Sequence, residues 1–421
     1  MPPGNLNNKL KSGPSNKASS KTSKTPKNQK RSKPSSSVPA SASIPDSTYQ
    51  ALLSTFHKAF KPLFTSPKLP SIIQEVKRHL YDRNFGEAFG GREFLEAYVL
   101  RWSPSRALAY LELFCYVPEI KSLISRRETN GGALEGNGEE KEEGEWNEED
   151  ATESLDRLNL NGSQRELTSI SNSPRERRAM TITCLGGGSG AELVALAAGL
   201  SHLAGSTSRP PFHLQILDIA DWSSVLGTLF TAMLASPQAS SPTGSPASDP
   251  ASGVPSLSGF AFTKADVLSM SLSSLRETVS SSALVTLMFT LNELYSTSLA
   301  KTTSFLLNLT MSVEPGGLFL VVDSPGSYSG VSVGNADSRR ERGEEDEQKR
   351  YPMQWLLDHT LLEVASLGRG EKREDGRKVE ERRQWVKVRE EESRWFRRGK
   401  GLKYPIDLED MRYQYHLYQR V

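Results

Sequence analysis

The feature that most constrains this chain is the stretch Thr181-Ile182-Thr183-Cys184-Leu185-Gly186-Gly187-Gly188-Ser189-Gly190-Ala191-Glu192-Leu193-Val194-Ala195-Leu196. A short apolar run enters a turn made of glycines and leaves as a helix, with Leu193, Leu196 and Leu200 at helical spacing. A strand delivered into such a turn and a helix N-terminus presents backbone N–H groups with no Cβ in front of them, which is the local design of a nucleotide-type site. Gly186, Gly187, Gly188 and Gly190 are therefore the first candidate ligand contacts. A P-loop is excluded, because no Gly-Lys-Ser/Thr comes after the glycines. Gly186, Gly188 and Ala191 satisfy the dinucleotide pattern with Ala in its third place, so the turn by itself leaves a nicotinamide cofactor open.

Downstream of the turn the chain carries an ordered series of strand ends. Residues 212–218 form an apolar run that ends in Asp218, where a carboxylate can accept hydrogen bonds from two ribose hydroxyls. Residues 260–268 carry Asp266, within reach of an adenine amino group, and Val267, which can pack on the ring. Residues 284–289 read as a fourth strand, and Glu314-Pro315-Gly316-Gly317 turns into a fifth at 318–323. A helix near 354–364 and late strands at 383–388 and 412–418 complete the pattern. Alternating strands and helices predict an α/β fold, a mostly parallel sheet with helices on both faces. Each acid alone is an ordinary loop residue; their recurrence at successive strand ends is the signal.

The rest of the chain divides by composition. Residues 1–46 predict a disordered basic tail, since residues 1–45 hold nine Lys or Arg and no acid. The run from Lys24 to Lys33 resembles a nuclear-import or nucleic-acid arm. A mitochondrial presequence is the rival, but Lys outnumbers Arg and no amphipathic apolar face is present. Residues 47–125 read as a helical lobe of four helices that packs on the next unit, the fourth opening with Ser103 as N-cap and Pro104 as first helical residue. Residues 126–178 form an acidic low-complexity linker. Residues 179–421 are the α/β domain, with insertions near 236–258, 334–350 and 368–381. No apolar run reaches the ~18 residues of a membrane span, so no membrane partner is expected. Two cysteines and no zinc-like spacing point to a reduced compartment and no metal. A monomer is expected.

Taken together, Cys184 to Gly190, Asp218, Asp266-Val267, Asn292-Glu293 and Pro315-Gly316-Gly317 resemble the class I methyltransferases, which bind S-adenosylmethionine. One departure stands out: the acid often found two residues before the first glycine is here Cys184. Arg101-Trp102-Ser103-Pro104-Ser105-Arg106-Ala107-Leu108-Ala109-Tyr110 and Asp218-Ile219-Ala220-Asp221-Trp222 narrow the resemblance to the fungal 25S ribosomal RNA uridine-N3 methyltransferase family. The resemblance implies a Rossmann-like methyltransferase domain with S-adenosylmethionine as cofactor. Gly186, Gly188 and Gly190 would line its methionine and ribose part, Asp218 the ribose hydroxyls, and Asp266 with Val267 the adenine. Asn292 and Glu293 would face the substrate as catalytic candidates, or Asn292 would simply cap a helix. Ribosomal RNA or the pre-ribosome is the implied partner, in the nucleus or nucleolus.

Residue chemistry limits the methyl acceptor. An exocyclic base amine is usually served by an Asn/Asp-Pro-Pro-aromatic turn, whereas this chain has Thr290-Leu291-Asn292-Glu293-Leu294. Carbon-5 of a pyrimidine needs a cysteine nucleophile, and no Pro-Cys exists. Uridine N3 needs only loss of a weakly acidic imide proton, with Glu293 or a water it holds as candidate base, and a base freed from pairing. Between Arg382 and Lys403 nine Lys or Arg face three acids, with aromatic residues interleaved, the ingredients of RNA-loop recognition. Arg394, Trp395, Arg397 and Arg398 are the RNA candidates there, and Arg101 and Arg106 those of the helical lobe. The competing expectations are a nicotinamide-dependent oxidoreductase and a non-catalytic ribosome-assembly scaffold.

Overall fold

The computed structural model describes residues 44–125, 180–203, 211–235, 257–326, 328–331, 349–366 and 383–421. The basic tail, the acidic linker and the bulk of the three insertions lie outside the described residues. The described strands are β1 (Met180–Leu185), β2 (Phe212–Asp218), β3 (Leu257–Lys264), β4 (Ser282–Met288), β5 (Leu318–Asp323), β6 (Tyr328–Val331), β7 (Lys349–Pro352), β8 (Trp385–Phe396) and β9 (Met411–Arg420). Seven of them form one sheet in the order β3-β2-β1-β4-β5-β9-β8, while β6 and β7 pair separately. The first five strands of the sheet are parallel; β9 runs antiparallel to β5, and β8 antiparallel to β9. This is the doubly wound Rossmann-like architecture expected, closed at one edge by an antiparallel hairpin.

Strands buried on both faces read as continuous apolar runs, and the two cores show why. Ile182, Cys184, Leu214, Ile216, Leu320 and Val322 face one layer of helices, and Leu185, Leu217, Val285, Leu287, Phe319 and Val321 face the other. The first layer contains α1 (Asp46–Ala59), α2 (Leu69–Tyr81), α3 (Phe85–Ala88), α4 (Arg92–Tyr116), α5 (Pro118–Ser125), α6 (Ala191–Leu203) and α7 (Ser223–Leu234). The second contains α8 (Leu272–Val279), α9 (Leu291–Thr297), α10 (Leu299–Ser312) and α11 (Met353–Asp358). The helices that precede the sheet in sequence therefore share one core with it, through α4 against α6 above all.

The structure corrects the expected break at Ser103-Pro104. α4 runs unbroken from Arg92 to Tyr116 with Pro104 inside it. An interior proline removes the hydrogen bond to the carbonyl four residues back, here Leu100. That carbonyl accepts instead from the Tyr404 hydroxyl at 3.3 Å. The flanking serines are also engaged across the fold: Ser103 Oγ donates to the Ser189 carbonyl at 2.9 Å, and Ser105 Oγ accepts from the Glu409 N–H at 3.0 Å. The Ser-Pro-Ser sequence looks like a helix start because its helix-interior cost is met by partners about 85 and 300 residues away.

Smaller differences have similar causes. β3 ends at Lys264, so Asp266 and Val267 lie in the turn after it, and β8 continues to Phe396, which puts Arg394 and Trp395 in the sheet. Lys349 and Arg350, expected inside an insertion, pair with β6. The helix expected near 354–364 is α11 continued by a π turn (His359–Glu363) and a 3-10 turn (Val364–Ser366).

Tyr404→Phe is expected to destabilise the protein by about 1 kcal/mol, because it leaves the Leu100 carbonyl without its donor. In a Pro104→Ala background, where residue 104 regains an N–H, the same change should cost measurably less. Urea unfolding of the four proteins checks this, and equal costs in both backgrounds would refute the compensation.

Candidate active site

The parallel strands end together. Leu185 of β1 pairs with Leu217 of β2 and Leu287 of β4, Asp218 with Lys264 of β3, and Met288 with Val322 of β5. From β1 the chain winds outward to β3 and then crosses back to β4, so the topological switch point lies between β1 and β4, where sheets of this kind bind ligands. At that edge stand the glycine turn, Asp218, Phe289 to Glu293, and Asp323.

The glycine turn is fixed from several sides. Gly186 and Gly190 adopt φ of +77°, the left-handed region that favours glycine. The Gly186 N–H donates to the Leu217 carbonyl at 2.8 Å, and the Gly188 N–H to Asp218 Oδ2 at 3.0 Å. A Cβ on Gly188 would run into the Trp222 indole, which is itself buried against Phe89 and Tyr98. The close approach at Gly188 is thus made by the protein's own tryptophan, from the loop that Asp218 opens. Asp218 Oδ1 accepts from the Ala220 N–H at 3.1 Å, so the same carboxylate shapes both loops.

Three carboxyls line this edge with their proton affinities raised. Burial pushes Asp218 up from its ordinary value, and the N–H groups of Ala220 and Gly188 oppose this. Burial pushes Glu192, on the first turn of α6, up to about 7. Asp323 at the end of β5 rises to about 6, again by burial, against hydrogen bonds from the N–H groups of Asn292 at 3.0 Å and Ser324 at 2.7 Å. The facing cation is Arg106 of α4, which hydrogen-bonds Tyr98 and lies over the Tyr98 and Phe289 rings at 5.5 and 5.3 Å. Phe289 is one of only two non-glycine residues at positive φ among the described residues, at +54°, and its ring also stacks on Tyr110. Strain of this kind persists where the surroundings over-determine it, as they do here.

Of the residues named from sequence, the four glycines and Asp218 converge on the switch point. Asp266 caps its own turn, with Oδ1 accepting from the Leu268 N–H at 3.0 Å and Oδ2 from Ser269 Oγ at 2.7 Å, and Val267 packs half-buried on the second core. Asn292 does not cap α9, whose N-cap is Thr290; its N–H serves Asp323 instead. Glu293 faces Arg83 at 3.3 Å. Arg101, Arg106 and Arg394, named above as RNA candidates, each have partners within the protein. Arg101 pairs with Glu409, Arg106 sits in the aromatic box, and Arg394 binds Glu112 at 2.9 Å and Glu391 at 3.2 Å while stacking on Tyr116. Trp395 remains exposed with Arg397 stacked on it at 3.9 Å, and Arg397 and Arg398 share Asp410. Sequence reasoning missed Glu192, Phe289 and Asp323. Asp323 carried a usable signal, since it closes an apolar strand just as Asp218 does; the other two did not.

A turn of glycines, a carboxylate at the adjacent strand end and an unpartnered buried carboxylate oxygen on Glu192 suit a nucleoside carrying positive charge. These residues fit S-adenosylmethionine, whose sulfonium and ammonium groups are cationic. Asp218→Ala should weaken its binding by roughly 10- to 100-fold, the range of a lost charged hydrogen bond. Calorimetric titration checks this, and an unchanged affinity would take Asp218 out of the site.

The chain is 28% identical over 363 residues to the Saccharomyces cerevisiae protein named 25S rRNA (uridine(2843)-N(3))-methyltransferase, covering 82% of this chain and 76% of the yeast protein. Among solved structures, it is similar to a SAM-dependent methyltransferase from Methanosarcina mazei, with 13% identity, 58% of this chain and 93% of that one covered, and a TM-score of 0.29. An O-methyltransferase family protein from Burkholderia thailandensis shows 16% identity, 58% and 51% coverage, and a TM-score of 0.27, so the chain spans about half of that protein. The sequence model of a family described as "Putative SAM-dependent methyltransferase" matches residues 56–419. Because that match takes in the helices before the sheet as well as the sheet to its last strand, the chain belongs to this S-adenosylmethionine-dependent methyltransferase family, and the nicotinamide oxidoreductase alternative falls.

Proposed function

We propose that the protein methylates N3 of a uridine in large-subunit ribosomal RNA, acting on the RNA or the pre-ribosome in the nucleus or nucleolus. The observation that carries this is the similarity to the yeast uridine-N3 methyltransferase across most of both chains. S-adenosylmethionine, when bound, supplies an electrophilic methyl group; the chain's own residues must free a nitrogen nucleophile and hold it in line.

Uridine N3 becomes nucleophilic when its proton leaves. On this reading Asp323 receives that proton, being a carboxyl at the switch-point edge, ionised above about pH 6 and oriented by two backbone N–H groups. Arg106 meets the negative charge that then spreads onto the imide oxygens, and the Phe289 ring beside it offers a face to an unstacked base. Asn292 and Glu293 act next to this pair: Asn292 holds Asp323, and Glu293 raises its proton affinity. Exposed Trp395 with Arg397 and Arg398 supports an RNA-facing surface on the β8–β9 hairpin.

Nucleoside mass spectrometry of ribosomal RNA from cells lacking the protein tests the substrate. Loss of 3-methyluridine, restored by the wild type and not by Asp218→Ala, is expected; an unchanged profile would sink the proposal. For the base, Asp323→Asn should lower the single-turnover rate by roughly 100-fold or more while changing cofactor affinity far less. A base that must be ionised makes the wild-type rate climb with pH through about 6 and level off above it. A rate that falls over that interval would exclude Asp323 as the acceptor.

A further inference from the structure

Glu192 is a carboxylate at the glycine turn whose burial its own backbone N–H compensates only in part. Its side chain is 3% exposed, yet Oε1 has no hydrogen-bond partner. Among the described residues no cation lies within ion-pair distance of it. The groups facing it are Arg106 and Tyr110 from α4, Cys184 from β1 and Asp218 from β2. Arg106 attracts it from beyond contact, Asp218 repels it, and Cys184 is held as a neutral thiol by burial and by Glu192 itself. The strand that leads into the turn therefore offers no charge of its own, and the only carboxylate beside Gly187 among the described residues is the one that α6 brings back. A Cβ on Gly187 would lie 3.2 Å from Oε1, so nothing but a glycine hydrogen separates that oxygen from the turn.

A buried carboxylate oxygen without a donor is unfavourable, and it is retained where a donor arrives with a ligand. We propose that Glu192 supplies, from α6, the carboxylate that Cys184 does not, and that its Oε1 accepts a hydrogen bond from the α-ammonium group of the bound cofactor. This rests on the cofactor of the family and is independent of the RNA substrate. It has a linkage consequence. The carboxyl titrates at about 7 in the free protein, and a cation beside it favours the ionised form. Below about pH 7, cofactor binding therefore expels a proton, and affinity rises with pH until Glu192 is ionised beforehand.

The test is calorimetric titration of the full chain with S-adenosylhomocysteine and with the analogue that lacks the α-amino group. Using the uncharged thioether isolates the ammonium from the sulfonium. Glu192→Gln should weaken S-adenosylhomocysteine by roughly 10-fold or more and leave the des-amino analogue nearly unchanged. At pH 6, titrations in two buffers of different ionisation enthalpy should show proton release for the wild type and none for the variant. Equal weakening of both ligands, with proton release retained, would mean that Glu192 only supports the turn, and would overturn the proposal. Absence of wild-type binding to either ligand would end the cofactor reading along with it. Because Gln matches the size of a protonated Glu, the variant is expected to fold, and Glu192→Asp provides a second, charged variant that should recover the proton release.

Discussion

The loop that leaves β1 is held by two hydrogen bonds from opposite directions, and most of the site depends on them. Asp218, at the end of the neighbouring strand, accepts the Gly188 N–H, and Ser103, from the middle of α4, donates to the Ser189 carbonyl. One bond ties the turn to the sheet and the other ties it to the helical layer. A turn of four glycines in five residues has more conformational freedom to lose than any other segment of comparable length. Its shape must be imposed from outside, and the Trp222 indole under Gly188 completes that imposition.

The same logic accounts for α4. A helix with a proline at its centre and apolar residues on nearly all sides is poorly specified by local preference. It is specified by what surrounds it: α6 on one side, α1 and α2 on another, and the 404–409 segment at its Ser-Pro-Ser centre. Ion pairs from the antiparallel edge reinforce this, with Arg389 forked onto Glu119 at 2.9 and 2.7 Å and Arg394 on Glu112. Partly exposed pairs of this kind add little stability singly. Their value is in register, since they hold the β8–β9 edge against the helices that carry Ser103 and Arg106.

The legible parts of the molecule are those whose signal is local. β1, the glycine turn and α6 could be read because strand, turn and helix preferences succeed one another within sixteen residues. Asp218 could be read because a carboxylate ending an apolar run is conspicuous. Pro104 misled because its compensation comes from Tyr404, and no window around residue 104 contains it. The ion pairs of Arg101 and Arg394 were illegible for the same reason: their acids, Glu409 and Glu112, are distant in sequence, and charge counting sees only neighbours. Glu192 looked like an ordinary first-turn acid, a position where acids suit the helix dipole. Only burial, which α4 imposes from outside the α/β segment, separates it from that role.

Arg106 joins the two ends of the site into one electrostatic unit. It interacts with both Glu192 at the glycine turn and Asp323 at the end of β5 across the switch point, and it pairs with neither within contact distance. Burial raises the proton affinity of both carboxyls, and the attraction of this one cation offsets it only in part. Where Glu192 is already ionised, above about pH 7, the cofactor's ammonium on the proposed reading adds a positive charge to the attraction Arg106 already exerts on Asp323. That added charge favours the ionised form of Asp323 and the negative charge developing on a deprotonated imide. On the proposed chemistry the site is thus less able to remove a proton before the methyl donor is in place than after. Residue 106 lies in the helix that also fixes the glycine turn, so the coupling is carried by the same element that builds the pocket.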